Sequence, residues 1–150
     1  MDEKTATRDR ILQAATARIL HYGYGKTTMA EIAADCGMSP GNIYRFFEAK
    51  IDIAEAMARK HYASEHATFS AIARRTDKPV AWRLREMFLT RLRDNFLMTA
   101  NSDKILEVAE VLHRERPIFA NENLAAERVF LRAVLEEGMA AGIFAGHDAS

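Results

Sequence analysis

Residues 28–47, TMAEIAADCGMSPGNIYRFF, constrain the fold more than any other stretch of the chain. Thr28 followed by Glu31 is a capping box, in which each side chain satisfies a backbone N–H that the first helical turn leaves without a partner. The pattern predicts a helix opening at Thr28. Ile32 and Ala33 form its inward face, and Ala33 is small enough to let a second backbone come close. Gly37 can adopt the left-handed conformation that ends a helix. Ser39 then offers an N-cap oxygen, and Pro40 suits the first helical position, where its missing N–H is not needed. A second short helix should follow, with Ile43 and Phe47 inward and Asn42, Tyr44 and Arg45 left on other faces. Two helices crossing at roughly 90 to 120° around a Gly-containing turn form a helix-turn-helix, whose second helix fits the major groove of B-DNA. The competing reading is an ordinary helical hairpin inside a bundle.

Apolar residues along the rest of the chain recur at three and four positions rather than two, so the whole chain is predicted to be all-α. A first helix is expected from about Thr7 to Tyr22, with Ile11, Ala15 and Ile19 on one stripe and Gly23 as its stop. After Phe47 a long helix should begin near Ala49, with Ile53, Met57, Tyr62, Phe69 and Ile72 inward, until the Thr76–Pro79 break. A fifth helix from Val80 to about Met98 places Leu84, Phe88, Leu92 and Phe96 four apart, next to Met87. A sixth spans roughly Asp103 to Arg114, with Pro117 beyond its end. A seventh runs from about Asn121 to Ala141, with Leu131, Val134, Leu135 and Met139 inward and Gly142 as its stop. Asp148-Ala-Ser would open a further helix.

The composition, 49% hydrophobic and 28% charged, is that of a globular protein. No uncharged run approaches the roughly 18 residues of a membrane span, and the first ten residues mix acids with bases and lack the apolar stretch of a signal peptide. A cytoplasmic location without membrane attachment is expected. The single cysteine, Cys36, cannot form an internal disulfide or a zinc-thiolate framework. The 21 basic residues balance 21 acidic ones, whereas phosphate binding favours a basic face. Any excess of positive charge must therefore come from placement. Enzyme chemistry has little support: Glu110-x-x-His113 is half of a carboxylate di-metal motif without its second half, and no Gly-rich phosphate loop or nucleophile elbow is present. No metal or cofactor is expected.

Residues 8–57 resemble the DNA-binding region of the TetR family of bacterial transcription regulators. The matching stretches are RDRILQAA, GYGKTTMAEIA and CGMSPGNIYRFFEAK. The resemblance implies a DNA-binding domain over residues 1–48. It implies a helical ligand-binding and dimerisation domain over 49–150, incomplete at its C-terminal end because the family continues with two more helices. It also implies a homodimer on a palindromic DNA operator, released by a small-molecule inducer. A helical ligand-binding or interaction module without effective DNA binding is the alternative.

Carried over by position, Thr28, Ser39, Tyr44 and Lys50 resemble the family's phosphate-gripping residues, while Gly41, Asn42 and Arg45 resemble its base-facing ones. Pro40 shapes the second helix, and Lys26 is a further phosphate candidate. Phe46 and Ile51 depart from the family's commoner residues. The chemistry suits these roles. Helix N-termini present N–H groups to anions, a lysine adds a flexible point charge, and arginine can pair with both acceptors of guanine. For the inducer pocket the candidates are Trp82, Met87, Phe88, Arg91, Phe96 and His113, although Met and Phe at helical spacing are more often core. Arg91 in an apolar neighbourhood favours an anionic or carbonyl-bearing ligand.

Overall fold

The computed structural model describes residues 2–144. The described chain is helical, in the order α1 Glu3–Tyr22, α2 Met29–Asp35, α3 Pro40–Ile43, α4 Lys50–Ala73, α5 Val80–Asn101, α6 Lys104–Glu115 and α7 Pro117–Ala140. The Asp148-Ala-Ser opening lies outside the described residues. Two helices begin earlier than their apolar pattern indicates. Asp2 caps α1 by accepting from the Thr5 N–H at 3.0 Å, which adds a turn before Thr7. Pro117 is the first residue of α7, a position that needs no N–H.

By packing, the chain forms two units. The first comprises the chain up to His61 together with Leu97–Ala120, and the second comprises Tyr62–Phe96 and the chain from Asn121 onward. In the first unit α1 buries Ile11, Leu12, Ala15 and Ile19, and α2 buries Met29, Ile32 and Ala33. Ile43, Phe47 and Ile53 close the same interior. Full burial of side chains of this size contributes roughly 1.5–3 kcal/mol each. Arg18 on α1 donates to Asp35 at 2.7 Å and lies 3.6 Å from Glu31, so the outer edges of α1 and α2 are tied together. Helix α6, far away in sequence, packs on α1: the Ser102 hydroxyl donates to the Leu20 carbonyl at 2.8 Å, and Val108, Val111 and Leu112 are buried.

The turn between α2 and α3 follows the Schellman pattern. Met38 N–H donates to the Ala33 carbonyl at 2.9 Å and Gly37 N–H to Ala34 at 3.0 Å, with Gly37 at φ +65°. The capping box at Thr28 is complete in both directions. Ser39 occupies the N-cap of α3, but its hydroxyl makes no capping bond. Helix α3 is also shorter than its pattern indicates. After Ile43 the chain tightens into i→i−3 bonds, from Arg45 to Asn42 and from Phe46 to Ile43.

The second unit centres on Val80, Met87 and Val134, with Ile72, Leu84, Phe130, Leu131 and Phe144 packed around them. Arg83, 2% exposed, donates to the Ala73 carbonyl at 3.0 Å and to Glu137 at 2.8 Å, so its buried charge is paired. The expected inward stripe on α5 is corrected here: Phe88, Leu92 and Phe96 are 63, 66 and 67% exposed. At 3.6 residues per turn a strict four-residue spacing drifts by about 40° at each step. Val80 and Met87, seven apart, lie within about 20° of each other and mark the buried side, whereas each step of four from Val80 through Leu84 to Phe88, Leu92 and Phe96 turns about 40° further away from it. Leu135 and Met139 on α7 are outward for the same reason, and Val134 takes the inward position.

Two glycines of the turn region separate conformation from space. A Cβ at either Gly37 or Gly41 would meet no atom within 4 Å, but only Gly37 has a positive φ. Gly37→Ala should therefore lower the unfolding free energy by ~1–2 kcal/mol, the left-handed penalty of an L-residue, and Gly41→Ala should not lower it. Urea denaturation of the two variants checks this, and equal destabilisation would contradict it.

Candidate nucleic-acid interface

The α1–α2 connection, residues 23–28, sets where α2 and α3 stand, and it is held from two sides. Glu107 on α6 accepts from the Tyr24 N–H at 3.0 Å and from the Gly25 N–H at 2.7 Å. Lys50, the first residue of α4, donates to the Tyr24 and Thr27 carbonyls, both at 2.7 Å, with its ammonium 4.2 Å from the Tyr24 ring centre. Inside the loop the Thr27 hydroxyl, fully buried, donates to the Gly23 carbonyl at 2.8 Å. Gly23 is required by proximity as well as by its φ of +98°, because a Cβ there would lie 2.7 Å from the Glu107 carboxylate. Beyond the bonds that Gly23, Thr27 and Thr28 make locally, the remaining backbone groups at Tyr24, Gly25 and Thr27 are paired by one carboxylate and one ammonium.

On this support α3 presents an outward segment. Ser39, Pro40, Gly41, Tyr44 and Arg45 are exposed, Asn42 is half-buried, and Ile43 and Phe47 are sealed beneath. Tyr44 is 53% exposed, and Arg45 lies 3.5 Å from the Asn42 side-chain oxygen. Thr28 and Lys26 are exposed at the start of α2. The Glu31 carboxylate already occupies that helix start, and its hydrogen bonds from Thr28 hold its pKa below the ordinary glutamate value.

Lys50 is placed differently from the other basic candidates. Its ammonium is spent on the two loop carbonyls, and burial lowers its pKa. Sequence reasoning found this lysine but not its inward direction, and it missed Glu107, whose partners lie more than eighty residues away. It also missed the start of α1. An open concavity of about 710 Å³ is lined by Lys4, Thr7 and Arg10 from α1 together with Asn42, Arg45 and Phe46, and Asp2 and Glu3 border it as well. The alternation of acids and bases in that first turn conceals the basic contribution when only totals are counted.

The six candidates for an inducer pocket do not converge. Met87 is core, Trp82 is half-buried with Arg75 and Lys78 each 5.8 Å from its ring, and Phe88 and Phe96 face outward. His113 is exposed and belongs to the first unit, whereas the other five belong to the second. Arg91 is already engaged by two carboxylates, Glu65 and Glu127. Among the described residues no three His, Cys, Asp or Glu side chains are grouped to hold a metal ion, and no helix is long and apolar enough to cross a membrane.

Residues 11–57 match the family described as bacterial regulatory proteins, tetR family. No curated protein sequence is significantly similar to the chain. Among solved structures, the fatty acid degradation regulator FadR from Bacillus halodurans is similar, with a TM-score of 0.71 at 23% identity over 94% of this chain and 72% of that one. FadR from Thermus thermophilus, described as a TetR-family transcriptional repressor in complex with lauroyl-CoA, has a TM-score of 0.66 at 19% identity over 95% and 72%. A TetR-family protein from Vibrio parahaemolyticus has a TM-score of 0.58 at 26% identity over 94% and 75%.

If the two-sided hold on the loop positions α2, its release should be measurable without any ligand. Glu107→Ala and Lys50→Met should each lower the unfolding free energy by ~1.5–3 kcal/mol, the range for hydrogen bonds to a charged group. Glu107→Ala should also speed amide exchange at Tyr24 and Gly25. Unchanged exchange at those two amides would show that Glu107 is not what holds them.

Proposed function

Residues 11–57 match the model of the bacterial regulatory proteins, tetR family, and on that ground we propose that the chain is a DNA-binding transcription regulator of that family. In this reading it acts as a repressor: residues 1–48 read a palindromic operator as part of a homodimer, and residues 49–150 respond to a small-molecule inducer. The carrying observation is the α3 segment, in which Gly41, Tyr44 and Arg45 are exposed over a sealed Ile43 and Phe47. A helical hairpin buried in a bundle would have no reason to hold a tyrosine and an arginine outward together.

Each residue has a distinct part. Arg45 reads base edges, with Asn42 within reach of its guanidinium. Gly41 lets the α3 backbone approach the groove. Tyr44 and Ser39 donate hydroxyl hydrogen bonds to phosphates, and Thr28 and Lys26 meet the backbone at the start of α2. Lys50 acts on DNA through the loop it holds, and Arg10 and Lys4 add charge from α1. The inducer acts only if it binds one conformation better than the other. The lauroyl-CoA complex of the Thermus protein supports a ligand in a fold of this kind. At 19% identity it does not transfer the ligand. The absence of net charge favours the second reading, a helical module without DNA affinity.

DNA selected from a random duplex pool separates the two. The regulator should show an affinity whose logarithm falls with log salt, by about 0.9 per phosphate neutralised. Arg45→Ala should relax base preference at one position, at about 1–3 kcal/mol of discrimination. Gly41→Ala, which the free protein has room for, should weaken DNA binding without loss of stability. Retention of no duplex at low salt would favour the second reading.

A further inference from the structure

The concavity between the start of α1 and α3 carries charge of both signs. Lys4, Arg10 and Arg45 supply cations, Asp2 and Glu3 supply carboxylates, and the Asn42 side-chain oxygen lies 3.5 Å from the Arg45 guanidinium. Among the described residues none of the three cations forms an ion pair. The two acids differ. Asp2 is spent on its own helix: its carboxylate accepts from the Thr5 N–H at 3.0 Å, and backbone N–H groups hold its pKa below the ordinary aspartate value. Glu3 is exposed, and among the described residues its carboxylate accepts no hydrogen bond and meets no cation. The first turn of a helix favours an acid in any protein. That accounts for a carboxylate at residue 3, but not for one that lines the same recess as Arg45.

A duplex offers such a carboxylate two kinds of neighbour. Phosphates repel it, and because attraction to phosphates supplies essentially all non-specific binding, an exposed acid weakens the hold on every sequence. Base edges are selective. In the major groove the donors are the exocyclic amino groups of cytosine and adenine, and a carboxylate accepts from cytosine N4 in particular, whereas guanine and thymine present only acceptors there. An acid that faces DNA therefore gains against an amino-bearing base and loses against everything else, which is how a contact discriminates. Arg45, in the same recess, has the opposite preference, for the O6 and N7 acceptors of guanine.

We propose that Glu3 is a second base-reading residue, acting from α1: its carboxylate accepts a hydrogen bond from a cytosine amino group beside the base that Arg45 contacts, and its charge weakens the hold on duplexes that lack this partner. The proposal rests on the reading of residues 1–48 as a DNA-binding domain. It assigns part of the sequence choice to a helix outside the helix-turn-helix.

Selection of duplexes from a random pool, run in parallel with the intact chain and with Glu3→Ala, tests it. The control is Asp9→Ala, which removes an exposed acid of α1 that does not line the recess. The wild type should enrich a motif with one position held to cytosine. Glu3→Ala should lower the preference there by roughly fivefold or more, and should bind an unselected duplex about threefold more tightly at low salt. Asp9→Ala should keep the preference. If Glu3→Ala does not fold, by circular dichroism, Glu3→Gln decides instead: an amide, with a donor as well as an acceptor, should move the position from cytosine toward adenine. An unchanged motif in the folded variant, or equal loss of the preference in Asp9→Ala, would overturn the proposal. So would tighter binding with the motif intact, which would leave Glu3 a repulsive charge alone. A wild type that enriches no motif sinks the regulator reading and this one together, whereas a motif shared by wild type and Glu3→Ala sinks only the role of Glu3.

Discussion

The arrangement of α2 and α3 rests on a short piece of loop whose backbone is held in part by two charged side chains. Within residues 23–28 the Gly23 N–H and Thr28 carbonyl bond to the flanking helices, and the Tyr24 and Gly25 N–H groups and the Thr27 carbonyl need partners from elsewhere. Glu107 takes the donors and Lys50 takes the acceptors, so two opposite charges bracket the same three or four residues. One comes from α6 and the other from the first residue of α4. Any displacement of either helix must either drag the loop along or break charge-assisted bonds. The start of α2, and α3 behind it, is therefore coupled to helices that lie outside the helix-turn-helix.

This coupling gives Lys50 a different physical role from the one its position in the motif suggests. A lysine just after α3 invites assignment to a phosphate, because a flexible ammonium near a helix start normally points to solvent. Here the loop carbonyls lie within its reach and compete for it. The exposed side chains of this region are instead Arg45 and Tyr44, with Lys4 and Arg10 of α1 lining the concavity beside Arg45.

Much of the α2–α3 region was legible because its signals are local. The capping box, the glycine that ends α2, the proline that opens α3 and the four-residue pairing of Ile43 with Phe47 each depend on atoms within one turn, and each stands where the spacing puts it. The misses share one cause. The α5 stripe of Phe88, Leu92 and Phe96 obeys a helical spacing yet turns away from the core, because repeated steps of four precess around the helix and nothing local says which portion of the arc will find a partner. Ser39 has the chemistry of a cap without making the bond. His113 was grouped with α5 side chains from which packing separates it.

The amino-acid sequence by itself determined that the chain is helical, where its turns fall, and which side chains the short third helix would bury and expose, since these follow from hydrogen bonds and steric limits among near neighbours. Only the tertiary structure decided that Glu107 reaches back to the first loop, that Lys50 turns inward, and that Arg91 is shared by Glu65 and Glu127. Those pairings join residues tens of positions apart. Their partners are selected by which helix surfaces fit together, a choice that no local spacing encodes.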